Sequence, residues 1–234
     1  MRKRLIVNAD DYGRSPGVSR GILRAHRQGI VTSTTVMINQ LGIEAQLSEA
    51  SRCPTLGIGL HLVFTDWKPI LSPQTIPSLV DGNGSFLDQH TLWAQAGKVS
   101  TKHLQSELCA QIERFILLTG HPPDHLDCHH FVYLYPPFFE VYANLAERFH
   151  LSLRMPFPLE TDIRRAGHRL PFLEGFPHDL VRGMIVTNSA CLKARQLAHP
   201  DRFICSFFGQ EALTLETLLH LLDTLPSGTN ELMC

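Results

Sequence analysis

Leu5-Ile6-Val7-Asn8-Ala9-Asp10-Asp11-Tyr12-Gly13 reads as a short buried strand that ends in two adjacent carboxylates. Three consecutive apolar, partly β-branched residues suit a strand covered on both faces. Asp and Gly then favour a turn. In an extended segment neighbouring side chains point to opposite sides, so Asp10 and Asp11 are expected to take different jobs if the strand geometry persists. One would ligate a metal and the other would handle a proton. A solvated strand-to-loop turn is the alternative that this stretch alone leaves open.

Outward from that strand the chain alternates between two periods. Residues 17–29 place Val18, Ile22, Leu23 and Ala25 at helical spacing, with Ser15-Pro16 as a start and Gly29 as a stop. The β-branched run from Ile30 to Ile38 predicts a second strand, residues 43–51 a short helix, and Leu56 to Val63 a third strand. Glycines inside that third strand, Gly57 and Gly59, mark a close backbone approach. Residues 64–102 lack periodicity and hold Pro69, Pro73, Pro77, Gly82, Gly84 and both tryptophans, Trp67 and Trp93. A loop of that length is functional or mobile, and its tryptophans either stack on a sugar or pin the loop to the core. His103 to Leu118 predicts a helix with Leu104, Leu108, Ile112, Phe115 and Ile116 inward and Glu107 and Glu113 outward.

Asp124 to His130 is extended, Pro136 to His150 helical, and Leu151 to Met155 a strand closed by Pro156. Signals from Phe157 to Asn188 are weak. A helix over 189–197, a strand over 202–207, a helix over 213–225 and a last strand over 231–234 complete the pattern. Six or seven such units in a single domain over residues 1–234 predict an α/β fold, a TIM-like (β/α) barrel rather than an open sheet. Active sites in such folds lie at the C-terminal ends of the strands. The chain stops inside an apolar strand, so the barrel is expected to be incomplete at the C-terminus.

Composition excludes several classes. Lys and Arg number 21 against 22 Asp and Glu, which gives no electrostatic case for nucleic acid or an anionic membrane. No apolar run approaches the roughly 20 residues of a bilayer span, and Leu5-Ile6-Val7 is too short for a signal peptide. The six cysteines are scattered without a C-x-x-C pair, which points to free thiols and a cytoplasmic protein. Thirteen histidines leave ample ligand and acid–base candidates.

Three strand ends carry such residues: Asp10-Asp11, His61, and the alternating His125, Asp127 and His129. A carboxylate with two imidazoles leaves coordination positions open for water and substrate, the pattern of a hydrolytic metal site. Period-2 spacing puts His125, Asp127 and His129 on one face, so at least one of them is expected to sit beside a ligand. A Walker loop, a G-x-S-x-G elbow and a catalytic cysteine motif are absent from the sequence.

Four stretches in order, Asn8 to Gly13, Gly29 to Thr35, Gly59 to Leu62 and His125 to His130, resemble the YdjC-like carbohydrate deacetylases. That family includes chitooligosaccharide deacetylases and hopanoid-associated members. The resemblance implies a barrel-like fold and metal-dependent removal of acetyl from an N-acetylated sugar or oligosaccharide. It assigns Asp11, His61 and His129 to the metal and Asp10 to the general base. His125, Asp127 and Arg154 are left to support the ligands or face substrate. The resemblance brings Mg2+ as cofactor, although two imidazoles suit Zn2+ or another transition ion better. A homodimer is left open. In the family a strand like Glu231 to Cys234 runs into His-Pro-Gly, whose histidine is the expected general acid. This chain stops one residue short of it, which leaves His125 as a weak substitute. A metal-dependent phosphoesterase and a catalytically silent sugar-binding remnant are the alternatives.

Overall fold

The computed structural model describes residues 2–155, 178–205, 207 and 213–234. In chain order the elements are β1 (Lys3–Tyr12), α1 (Pro16–Gln28), β2 (Ser33–Val36), α2 (Ile43–Ala50), β3 (Gly57–Leu62), α3 (Gln89–Ala94) and α4 (Thr101–Thr119). They continue with β4 (His125–Cys128), α5 (Pro136–Phe149), β5 (Ser152–Leu153), α6 (His178–Arg195), β6 (Arg202–Ile204), α7 (Leu215–Asp223) and β7 (Gly228–Met233). The strands form one parallel sheet in the order β5-β4-β3-β2-β1-β7-β6.

That order is a barrel read round from β5 to β6. The sheet curls far enough for Arg154, just past β5, to reach Glu231 on β7 at 2.8 Å. One backbone hydrogen bond, Leu153 N–H to the Ala198 carbonyl at 3.0 Å, spans the opening between the edge strands. Among the described residues the expected incomplete (β/α) barrel is present, with its opening between β5 and β6.

Local chemistry explains the elements. The Ser15 hydroxyl accepts from the Val18 amide at the start of α1, and Pro16 occupies the first turn where no amide donor is needed. Ser100 caps α4 in the same way, and Gly120, at φ +79°, ends it in the left-handed conformation. Leu104, Leu108, Ile112 and Phe115 face the core as the spacing requires.

Glu107 does not lie outside that face. It is fully buried, and its carboxylate accepts from the Ile70 and Leu71 amides, both at 2.9 Å, and from Gln111. Gln111 in turn accepts from the Val63 amide. A polar pair on an apolar helix face thus anchors the long loop after β3. With Ile76, Leu79, Phe86 and Leu92 buried, that loop is a packed layer.

The helix expected over 189–197 is α6, and it begins at His178. Gly183 and Asn188 hid its period. Asn188 is buried among Val181, Met184 and Leu192 because its amide donates to the Leu134 carbonyl at 2.9 Å. Of the weak-signal stretch from Phe157 to Asn188, residues 157–177 lie outside the described residues. None of the six cysteines is in a disulfide. Among the described residues no helix is long and apolar enough to cross a membrane.

Candidate active site

β1 does not keep its alternation to the end. Its pairing with β2 runs Ala9 to Thr34 and then Tyr12 to Val36, so β1 carries one extra residue. Asp11 sits at φ +67°, a left-handed conformation that Asp tolerates better than most residues. The bulge turns both carboxylates into the same mouth of the sheet. Each has an oxygen within 4.8 Å of a His61 ring nitrogen. The expectation that they point to opposite sides is thereby corrected, yet their partners differ.

Asp11 Oδ1 lies 3.2 Å from His61 Nε2 and 3.0 Å from His129 Nδ1, and those nitrogens are 3.2 Å apart. Donor atoms at this spacing fit a common ion about 2.1 Å from each, at angles between octahedral and tetrahedral. The Arg14 guanidinium takes the other Asp11 oxygen at 2.9 Å, leaving Oδ1 as a single ligand atom. His61 Nδ1 donates to Asp127 Oδ1 at 2.6 Å, which fixes the ring and presents Nε2 to the triangle. Asp127 also accepts from Thr35 at 2.9 Å.

A second acidic group, Asp10 with His61 and Asp127, is already neutralised. Arg154 Nη2 bridges Asp10 Oδ1 at 2.7 Å and Asp127 Oδ2 at 2.9 Å. Its Nη1 adds a 2.7 Å bond to Asp10 Oδ2, and its Nε donates to Glu231. A metal there would face a guanidinium. The donor set of Asp11, His61 and His129 is the one that fits a divalent ion.

The electrostatics follow this partition. Burial opposes ionisation of Asp11, but the His129 and His61 contacts hold its carboxyl well below the usual range. Burial likewise opposes a charged His61, yet Asp127 and Asp11 raise it to about 10, so an incoming ion displaces a proton there. Asp127, despite burial, is held at about 2 by Arg154 and His61.

Glu231 is pushed up to about 7 by burial, with Arg154 opposing. The folded chain therefore keeps a proton that the unfolded chain loses near its ordinary 4.5. Stability should fall as pH rises from 4.5 toward 7, and Glu231→Gln should flatten that slope. Urea midpoints across that window check it, and parallel slopes for the two chains would remove Glu231 as the cause.

The other candidates are distributed over different layers. His129 reaches the triangle, whereas His125 lies deeper, with Nε2 donating to Asn8 Oδ1 at 3.2 Å. Burial lowers the pKa of His125 and keeps it neutral. Its ring is bonded to Asn8 and does not join the Asp11–His61–His129 group. Arg154, 2% exposed, spends its guanidinium on Asp10, Asp127 and Glu231. Trp67 packs its ring 5.2 Å from the His129 ring and under the Arg14 guanidinium at 5.8 Å, while Trp93 sits half-buried against the core. Asp66, Trp67 and His130 share the left-handed conformation of Asp11. Strained backbone thus gathers around the mouth, as it does at functional sites.

Sequence reading missed Asn8, Thr35 and Glu231 as site residues. The available signal was a polar residue inside each buried strand. β7 brings Cys234 to the same place, where its carbonyl accepts from the Asp10 amide at 3.1 Å.

The chain is similar to proteins named carbohydrate deacetylase and chitooligosaccharide deacetylase. The chain is 36% identical, over its whole length and 79% of the relative, to a carbohydrate deacetylase of Geobacillus stearothermophilus. It is 40% identical to one of Brevibacillus brevis, over 75% of this chain and 68% of that protein. A chitooligosaccharide deacetylase of Serratia marcescens is 40% identical over 66% of this chain and 60% of its own length. A crystal structure from Enterococcus faecalis V583, of a protein named for cellobiose-phosphate cleavage, superposes with TM-score 0.79 at 32% identity, covering 100% of this chain and 81% of the other. Residues 4–234 match the family model described as YdjC-like protein, and the chain belongs to the YdjC-like family.

Proposed function

We propose that this chain is a divalent-metal-dependent carbohydrate deacetylase that hydrolyses the acetamido group of an N-acetylated sugar. The observation that carries the reading is the Asp11–His61–His129 triangle beside a separately held carboxylate, Asp10. The names of the deacetylase relatives support the substrate class. Asp11, His61 and His129 would hold the ion, and two imidazoles favour a first-row transition ion over Mg2+. When bound, such an ion polarises the acyl carbonyl and acidifies water.

The chain's own residues supply the rest. Asp10 takes the proton of the attacking water. Arg154 grips both of its oxygens at 2.7 Å and holds the side chain in place. Asp127 holds the His61 tautomer. Trp67, flanked by His129 and Arg14, offers an aromatic face at the mouth for a sugar ring.

The test uses the chain stripped of metal and reloaded with Zn2+, Co2+ or Mg2+, given N-acetylated chitooligosaccharides, with acetate measured. Acetate release that is lost on chelation and restored by one of these ions is expected. Sugar binding by calorimetry without acetate release under any ion would select the silent binder. Turnover of a phosphate ester alone would select the phosphoesterase.

A further inference from the structure

We infer that Asn8 and His125 form a positioning column beneath Asp10 that decides which of its two oxygens accepts the proton. The inference rests on Asp10 being the base.

Asn8 is fully buried, and its side-chain amide is fully engaged. Its Oδ1 accepts from Ser33 Oγ at 2.7 Å and from His125 Nε2 at 3.2 Å. Its Nδ2 donates to Asp10 Oδ1 at 2.8 Å and to Thr35 Oγ1 at 3.3 Å. The Asp10 carboxylate, which only accepts, fixes the amide orientation, because a flipped amide would set its oxygen against it; Ser33 and His125 then brace Oδ1 from the other side.

A carboxylate offers about four in-plane acceptor positions, two on each oxygen. Arg154 takes one on each oxygen of Asp10, at 2.7 Å in both cases. With Arg154 alone, either oxygen could receive the water's proton. Asn8 fills the remaining position on Oδ1 and leaves Oδ2 as the acceptor.

Gly59 holds the far end of the column. A Cβ built there would lie 2.5–2.8 Å from three atoms of the His125 ring, so the ring would have to shift. On another side the ring borders a cavity of about 320 Å³, shared with Ser33, Asp124, Ser152, Arg154 and Glu231. A methyl group at position 59 therefore has room to push the ring off Asn8. This gives the strand glycine a specific task, keeping the His125–Asn8 bond within reach.

The experiment compares Asn8→Ala, His125→Ala, His125→Gln, Gly59→Ala and the Gly59→Ala/His125→Ala pair. It reads kcat and KM for acetate release, Co2+ affinity by calorimetry, and Tm. Asn8→Ala should lower kcat about 10- to 100-fold and His125→Ala about 5- to 10-fold, with KM and Co2+ affinity unchanged. His125→Gln, whose amide can still donate to Asn8, should recover most of the loss. Gly59→Ala should match His125→Ala and add nothing to it in the pair. If Asn8→Ala does not fold, the two His125 variants decide. His125→Gln as slow as His125→Ala, both unchanged from the parent, or a loss seen as weaker Co2+ binding would each overturn the inference. Asp10→Asn, run alongside, separates the two levels. Full activity there overturns the base itself, whereas inactivity with fast Asn8 and His125 variants overturns only the column.

Discussion

Asp10→Asn is expected to lower kcat for acetate release by about 10²- to 10⁴-fold while leaving metal affinity unchanged, the range that loss of a general base produces. The change is nearly isosteric. Asp10 contributes no atom to the Asp11–His61–His129 triangle, so the ion's seat survives. Arg154 stays charged and keeps Asp127 and Glu231 as partners, so the interior remains neutralised. What disappears is the proton acceptor of the reading proposed above, because an amide oxygen at neutral pH does not take a proton from water. Acetate assays with calorimetric Co2+ titration check both halves. Activity within a few-fold of the parent would rule Asp10 out as base, and lost Co2+ binding would move it into the ligand set.

Arg154→Met should cost about 3–5 kcal/mol of unfolding free energy, the scale for removing one partner of a buried ion pair. Arg154 faces Asp10, Asp127 and Glu231, and Met keeps the packing volume without the charge. The guanidinium also covers the Phe203 ring at 4.7 Å, so one side chain ties the segment after β5 to β6 across the opening of the barrel. Arg154→Lys should fall between, since one ammonium cannot present the planar fork that grips both Asp10 oxygens. Urea unfolding of the three proteins measures this. A Met variant within 1 kcal/mol of the parent would mean that the three carboxylates find protons or other partners at little cost, against about 3 kcal/mol expected from their burial.

Much of the architecture was legible because it is local. The inward face of α4 follows from the spacing of Leu104, Leu108, Ile112 and Phe115, and α1 follows from Ser15-Pro16. Where the reading failed, a buried polar residue broke the period. Glu107 looked solvent-facing because its partners, the Ile70 and Leu71 amides, lie more than thirty residues away. Asn188 concealed the first half of α6 for the same reason. The grouping of Asp11, His61 and His129 was readable as three strand-end residues of metal-binding type, and the fold brings them together. The depth of His125 was not, since period-2 spacing assigns a face but not a layer.

By itself the sequence determined the alternation of strand and helix, the order of the strands that carry the acidic and imidazole residues, and membership in the YdjC-like family. Those depend on residue type and spacing within a dozen positions. The tertiary structure alone decided that Asp10 and Asp11 share one mouth, because a one-residue bulge against β2 overrides the two-residue period of β1. It alone gave them different partners. Asp11 meets two histidines at 3.0–3.2 Å, and Asp10 meets an arginine 144 positions away in the chain. Contacts of that separation arise only when the sheet curls, and no local pattern of residues announces them.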